Sequence, residues 1–165
     1  MGNLKKRGQI QLSFGMIFSI ILIIATVAVA FFFIKNFLNS SSCVQVNKFY
    51  DDLQKDIDKV WRAPQAEELF MINLPGGINA VCFGNLELAQ QKGFVQEYGD
   101  LRKYQEDESN IYLYPGKKAC DGELAVKELK HFDDSDFFCI NLDADNKIKI
   151  IKESSKDSLV KIESE

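Results

Sequence analysis

The residues best suited to chemistry are few and lie close together in one short run. The single histidine, His131, is followed by carboxylates at Asp133, Asp134 and Asp136. A histidine beside carboxylates is a set that binds a metal ion or acts as a general base. Here the run is short and polar and comes directly before an apolar segment. We therefore interpret it as a solvated turn ahead of a strand.

Other candidate sites lack the pattern that their chemistry needs. Asp143 and Asp145 offer oxygen ligands for calcium, but the length and the distal glutamate of an EF-hand loop are missing. The serines at 40–42 have no nucleophile-elbow setting, and the chain has no phosphate-binding or dinucleotide-binding glycine pattern. We predict no catalytic residue, no cofactor site and no metal site, and we expect that the chain is not an enzyme.

Four cysteines are the next candidates: Cys43, Cys82, Cys120 and Cys139. An even number in an exported domain predicts two disulfides, although four buried free thiols remain an alternative. Four cysteines allow three pairings. Local context favours joining Cys82 with Cys139, which both lie in apolar strand-like settings, and Cys43 with Cys120, which have polar neighbours. With no C-x-x-C pair, a zinc site is not predicted.

An apolar segment precedes all four cysteines. Residues 14–34 contain no charged side chain, and a helix of this length spans roughly 30 Å, the thickness of the hydrocarbon core of a bilayer. Lys5, Lys6 and Arg7 precede the segment, whereas Lys35 alone follows it. The positive-inside rule therefore predicts a single-pass protein of the cell membrane, with its N-terminus in the cytoplasm and its C-terminal domain outside the cell.

The charge of the C-terminal part restricts its partners. All 24 acidic residues lie after residue 38, together with 16 of the 20 basic ones, which gives this part a formal charge of −8. Binding to nucleic acid needs a basic surface that displaces counterions from phosphates. We therefore expect the lipid bilayer as a partner of the chain and no nucleic acid.

The remaining pattern predicts an α+β fold. A basic leader (1–9) and a transmembrane helix (10–38) precede a polar junction at 39–42, which we expect to loosen the helix. An amphipathic helix follows within 39–64 and stops before Pro64. Its apolar stripe suits packing on the chain's own sheet or on a neighbouring subunit. The pattern of residues 65–165 predicts a small antiparallel β-rich head. We expect a short helix within 84–109 and one or two helical turns within 123–130. The expected strands are at 69–73, 79–83, 110–114, 137–142, 147–152 and 159–163.

The N-terminus resembles a known family. Lys5-Lys6-Arg7-Gly8-Gln9 leads into Leu12-Ser13-Phe14-Gly15 and an unbroken apolar helix. This pattern, over residues 5 to 34, is similar to the class III signal peptides of archaeal type IV pilin-like membrane proteins. The resemblance implies that a prepilin-type peptidase cuts between Gly8 and Gln9. It also implies that the helix stays on the mature chain and packs against other pilin-like subunits.

The resemblance carries one departure from the family pattern. Filament-forming members usually have glutamate at the fifth mature position, where this chain has Ser13, which supplies no counter-charge for a buried N-terminal amine. The departure therefore favours a minor subunit of a pilus-like or export assembly, or a pilin-like protein that does not assemble. Small residues that permit close helix approach are Gly15, Ser19 and Ala28.

Two other processing events and a second function stay open. Ala28-Val29-Ala30 fits an ordinary secretory cleavage site, and Asn39-Ser40-Ser41 matches the N-glycosylation pattern. The alternative function is an uncleaved, membrane-anchored binding module that contacts an envelope component or an exported protein.

Overall fold

A computed structural model describes residues 14–105, 108–143 and 146–164. It divides into two compact units, residues 1–38 and residues 39–165. Below, the part of the first unit within the described residues is called the apolar helix, and the second unit is called the head. The general shape is α+β, as predicted: a long N-terminal helix that is apolar enough to cross a membrane, followed by antiparallel sheets.

The long helix, α1, covers Phe14–Arg62. Residues 39–42, where we expect the helix to loosen, are helical, and the division between the two units falls just before them. Serine and asparagine cost at most about 0.7 kcal/mol each in helix propensity, which is too little to interrupt a helix with strong turns on both sides. The C-terminal end is as predicted, since Pro64 cannot continue the helix and α1 ends at Arg62.

Within the head, α1 buries one stripe of apolar side chains against the sheets. The stripe begins at Val46 and ends at Val60, and each of its members is at most 4% exposed: Val46, Phe49, Tyr50, Leu53, Ile57 and Val60. Their spacing of three and four residues places them on one helix face. Of the two expectations for this stripe, packing on the chain's own sheet is the one the structure shows. Trp61, at its end, is half-buried.

Within the described residues, seven strands form two antiparallel sheets. The strands are β1 (Ala66–Met71), β2 (Ala80–Gly84), β3 (Ile111–Tyr114), β4 (Val126–Lys127), β5 (Phe137–Asn141), β6 (Lys147–Lys152) and β7 (Lys161–Ser164). One sheet has the order β1-β6-β7 and the other the order β4-β3-β2-β5. Register is set by burial: Phe70 lies opposite Ile148 and Ile150 opposite Ile162, all on the buried face.

The strand β2 separates two parts of the core. Val81 and Phe83 pack in the cluster that includes the stripe of α1, whereas Cys82 packs with Leu86, Leu101 and other residues in a second cluster. The short helix α2 (Val95–Leu101), predicted within 84–109, contributes to this second cluster. Because alternate residues of a strand face opposite sides, β2 is buried throughout.

The prediction of helical turns at 123–130 is wrong, because the structure forms the strand β4 within this range. Ile111 pairs with Lys127, and the Asn110 side chain donates to Leu129 O (2.9 Å) and accepts from Leu129 N (2.6 Å). These contacts across 19 residues override a weak local helix propensity. Other differences are at strand ends: β1 covers Ala66–Met71 rather than 69–73, and β7 covers Lys161–Ser164 rather than 159–163.

Candidate functional site

Among the described residues, the apolar helix leaves its large hydrophobic side chains exposed. From Gly15 to Lys35 every side chain is exposed, and the large hydrophobic ones between Met16 and Ile34 are 44–69% exposed. A core helix of a soluble protein is mostly buried, whereas here none of the apolar window is buried. This helix is long and apolar enough to span a membrane. Lipid or other helices are the environments in which such a surface is stable.

Two hydroxyl groups of this helix form hydrogen bonds within it. Ser19 Oγ donates to Gly15 O (2.8 Å) and Thr26 Oγ1 donates to Ile23 O (2.9 Å). Both bonds remove a hydroxyl donor that would be costly in hydrocarbon. The helix therefore presents no unmet side-chain donor at these two positions to a surrounding bilayer.

The three predicted helix-packing residues do not share a face. In an α-helix, Ser19 lies about 40° from Gly15, whereas Ala28 lies about 180° from Ser19. The structure therefore places Gly15 and Ser19 together and Ala28 on the opposite side. Thr26, which the sequence interpretation did not include, lies between Gly15 and Ser19 in angle and extends that face. The processing residues Gly8 and Gln9 lie outside the described residues, as does Ser13.

Two disulfides lie in the head. Cys43 of α1 is bonded to Cys120, and Cys82 of β2 is bonded to Cys139 of β5, directly opposite it in register. These are the two pairs that the local sequence context favours. The described residues contain no free cysteine. Disulfides persist in oxidising compartments, so the head suits an extracellular environment.

The run after Lys130 forms a turn and a bend directly before β5, with Asp134 and Asp136 exposed, as the sequence interpretation had it. His131, within this turn, is only partly exposed and has specific contacts. Its ring stacks on Trp61, with centroids 3.7 Å apart and planes 6° from parallel. Its Nδ1 lies 3.1 Å from Asp58 Oδ1, and the backbone has a φ of 64°. The neighbouring Lys130 N donates to Gln54 Oε1 (2.8 Å). These contacts attach the segment before β5 to α1. The helical spacing of Gln54, Asp58 and Trp61 is visible in the sequence, but nothing in it indicates that His131 is their partner.

The carboxylates after His131 line an open groove between the edge strands β5 and β7. The groove encloses about 530 Å³ and is lined by Asp133, Ser135, Asp136, Phe138, Lys161, Ile162, Glu163 and Ser164. Asp133 Oδ1 accepts from Ser135 N (3.1 Å), and Asp136 pairs with Lys92 (2.7 Å). The hydrogen bond from Lys92 holds the pKa of Asp136 below its usual range, with help from Phe137 N. These lining residues include no histidine and no cysteine.

Other shifted groups have structural causes. Burial raises the pKa of Tyr50, whose hydroxyl donates to Leu124 O (2.9 Å), and it raises the pKa of Tyr112 to about 12. Partial burial would raise the pKa of Asp100, but hydrogen bonds from Lys103 and from Gly116 N lower it overall.

Metal binding finds no support in the described ranges. Within 14–105, 108–143 and 146–164, no group of three or more histidine, cysteine, aspartate or glutamate side chains is placed to hold an ion. The sequence pair Asp143 and Asp145 is not tested by this, because Asp145 lies outside the described residues.

Comparison with known proteins identifies no relative of this chain. No family model, no curated protein and no solved structure matches this chain.

Proposed function

We propose that this chain is a pilin-like single-pass membrane protein, a minor subunit of a type IV pilus-like or export assembly, with a structural role. The observation that carries the proposal is the apolar helix, which is exposed on every side from Gly15 to Ile34. A helix that is apolar all round is stable inside a membrane or among other helices of the same kind. The basic leader before it supplies the likeness to pilin-like proteins.

The head supports the same proposal. The part of α1 within the head belongs to its core through the buried stripe and is also joined to the β-rich part by the bond between Cys43 and Cys120. Two disulfides suit a domain displayed outside the cell. A structural subunit needs a stable displayed domain and a means of lateral packing, and it needs no active site.

The proposed mechanism uses the apolar helix after cleavage. A prepilin-type peptidase cuts between Gly8 and Gln9, and the remaining helix packs against pilin-like subunits within the bilayer. Gly15, Ser19 and Thr26 share one face, where small side chains let backbones approach closely. Ser13 provides no charge to neutralise a neighbouring N-terminal amine, which fits a subunit present in few copies.

Site-specific photo-crosslinking in the native membrane tests lateral packing. A photoreactive amino acid at Leu22 lies on the face of Gly15 and Thr26, whereas one at Ile24 lies about 180° away from Gly15. Both side chains are exposed, at 49% and 64%, so the two variants are matched in access. We expect protein adducts from Leu22 and mainly lipid adducts from Ile24. Lipid adducts alone from both positions would contradict assembly through this helix.

The groove between β5 and β7 favours a second candidate function. Both strands are sheet edges, and an open edge can accept an extended segment of another protein. An uncleaved anchored module that binds an exported protein would use this surface. In that case the photoreactive residue at Leu22 would give lipid adducts, and one at Phe138 would give protein adducts.

A further inference from the structure

We propose that the groove between β5 and β7 binds an extended segment of another protein that carries lysine or arginine side chains, and that the bound segment adds a strand to β7. This surface, the edge groove, is lined by Asp133, Ser135, Asp136 and Phe138 on one side and by residues 161–164 on the other. The proposal rests on the second candidate function, the anchored binding module, and names the class of its partner. It uses contacts within the head alone.

The hydrogen bonds of β6 show which residues of β7 face the edge groove. In an antiparallel sheet, the N–H and C=O groups of one residue point to one side, and those of the next residue point to the other side. Ile72 N donates to Asn146 O (2.7 Å), which extends the pairing of β1 with β6. Even-numbered residues of β6 therefore bond to β1, and odd-numbered ones bond to β7. The latter lie opposite Lys161 and Glu163, so the residues at 162 and 164 direct their backbone groups away from the sheet.

A contact at Val160 supports this direction. Val160 N donates to His131 O (2.8 Å), and Val160 O accepts from Asp133 N (2.9 Å), in a parallel bridge with Phe132 opposite Val160. Val160 precedes Ile162 by two residues, so its backbone groups point to the same side. The chain therefore already pairs with the start of this edge, and it leaves the edge after Asp133 on its way to β5.

Beyond that bridge, the edge of β7 has no backbone partner within the described ranges. Ile162 and Ser164 each offer one N–H and one C=O group on this side, and no backbone hydrogen bond from the described residues reaches them there. The four residues of β7 span about 13 Å. An extended segment that pairs along this length bonds to all four groups, which is how a strand is added to an open sheet edge.

The opposite wall of the edge groove is apolar. Phe138 is partly exposed, and its ring stacks on Phe83 with centroids 5.5 Å apart. Phe83 itself is buried in the core, so the ring of Phe138 is held in place. The groove thus has a backbone edge on one side and an aromatic ring on the other, which suits an extended peptide segment.

The charged side chains of the edge groove are mainly acidic. The lining contains three carboxylates and one ammonium group: Asp133, Asp136, Glu163 and Lys161. Two of these four have a partner of opposite charge outside the lining. Asp136 pairs with Lys92 (2.7 Å), and Lys161 pairs with Glu153 (3.8 Å).

The acidic excess remains when every such partner is counted. Asp133 and Glu163 form no ion pair with any residue that the structure describes. Glu163 lies opposite Lys149 in register, but the Nζ of Lys149 is 3.6 Å from Glu67. With Glu67, Glu153, Lys92 and Lys149 included, five carboxylates are set against three lysines. This excess favours lysine and arginine side chains on the bound segment. Exposed ion pairs add little affinity, so the backbone bonds supply most of the affinity and the charges select the partner.

The test measures peptide binding to the full chain in nanodiscs of phosphatidylcholine, a lipid without net charge. The probe is a fluorescent seven-residue peptide in which lysine alternates with threonine, and fluorescence anisotropy gives its Kd. One comparison peptide has glutamate in place of each lysine, and another keeps the lysines but is methylated at every backbone nitrogen. We expect the lysine peptide to bind at least about tenfold more tightly than either, because each comparison peptide lacks one of the two features that the groove recognises.

A pair of variants locates the binding site. Asp133→Asn/Glu163→Gln should weaken binding of the lysine peptide by about fivefold to tenfold. The asparagine keeps the side-chain oxygen that accepts from Ser135 N. The matched control, Asp51→Asn/Glu128→Gln, removes the same number of charges from exposed positions outside the groove and should change Kd by less than twofold.

Three results would overturn the proposal. Equal affinity for the lysine and glutamate peptides would refute the basic partner, and equal affinity for the lysine and methylated peptides would refute strand addition. An equal loss in the two double variants would show binding by overall charge rather than in the groove. The crosslinking at Phe138 separates this failure from that of the second candidate function. Protein adducts at Phe138 with any of these three results would leave the binding module standing, whereas lipid adducts alone would overturn the module as well.

Discussion

At the scale of single residues, the end of β2 depends on a glycine. Gly84 has a φ of 101°, and a Cβ built there would lie 1.7 Å from the backbone oxygen of Asp136. Gly93 also has a positive φ, of 90°, but a Cβ there meets nothing within 4 Å. These two positions separate the cost of backbone conformation from the cost of a backbone clash.

We therefore predict that Gly84→Ala destabilises the head much more than Gly93→Ala. The second substitution should cost about 1–2 kcal/mol, the cost of a left-handed backbone for an L-residue. The first adds a collision with backbone that can be relieved only by separating β2 from β5. Urea unfolding of the full chain in mild detergent, followed by Trp61 fluorescence, measures both. Equal losses from the two variants would contradict the close approach at Gly84.

Asp100 gives a prediction with a defined pH dependence. Its carboxylate accepts from Gly116 N (2.8 Å) and from Lys103 Nζ (2.5 Å), and its pKa is lowered in the folded state. A lowered pKa means that the carboxylate stabilises the fold above its unfolded value of about 3.9 and that this contribution is lost as the pH falls further. Asp100→Asn should cost about 1–2 kcal/mol at pH 7, and the difference from wild type should shrink below pH 4.

The control for this prediction is Asp51→Asn, which changes an exposed carboxylate on α1. It should leave the free energy of unfolding nearly unchanged at both pH values. A difference between Asp100→Asn and wild type that stays constant from pH 7 to pH 3 would show that the carboxylate does not act through its charge.

At the scale of elements, periodicity predicts α1 and its buried stripe. Spacing alone places Val46 through Val60 on one face, and Pro64 predicts the end of the helix. We expect Leu53→Ala, at a fully buried position, to cost about 2–5 kcal/mol of head stability. Val44→Ala, on the same helix but 64% exposed, should change it by less than about 0.5 kcal/mol. Comparable losses from the two would contradict packing of this stripe on the head.

The elements that periodicity misses are those made by distant contacts. Residues 123–130 have a weak helical preference, and only the pairing with β3 and the hydrogen bonds of Asn110 make Val126–Lys127 a strand. The position of His131 has the same origin, because its partners Asp58 and Trp61 are about seventy residues away in the chain. The composition and residue spacing of a single sequence contain no signal for such distant contacts.

At the scale of the whole molecule, the class of fold is predictable and its topology is not. Alternating strands after a long helix predict α+β with antiparallel pairing. The division into two sheets, with β1 paired to β6 rather than to its neighbour β2, depends on which faces of the strands the core buries. The apolar helix, by contrast, is predicted from composition alone, because a bilayer requires little more than length and hydrophobicity.

The proposed role depends most directly on how the N-terminus is processed. The measurement is mass spectrometry of the N-terminal peptide of the chain from native membranes. A mature chain that begins at Gln9, lacking Lys5, Lys6 and Arg7, is the result that the pilin-like account predicts. A membrane-bound chain that still carries these three basic residues would contradict that account and would favour an uncleaved anchored binding module.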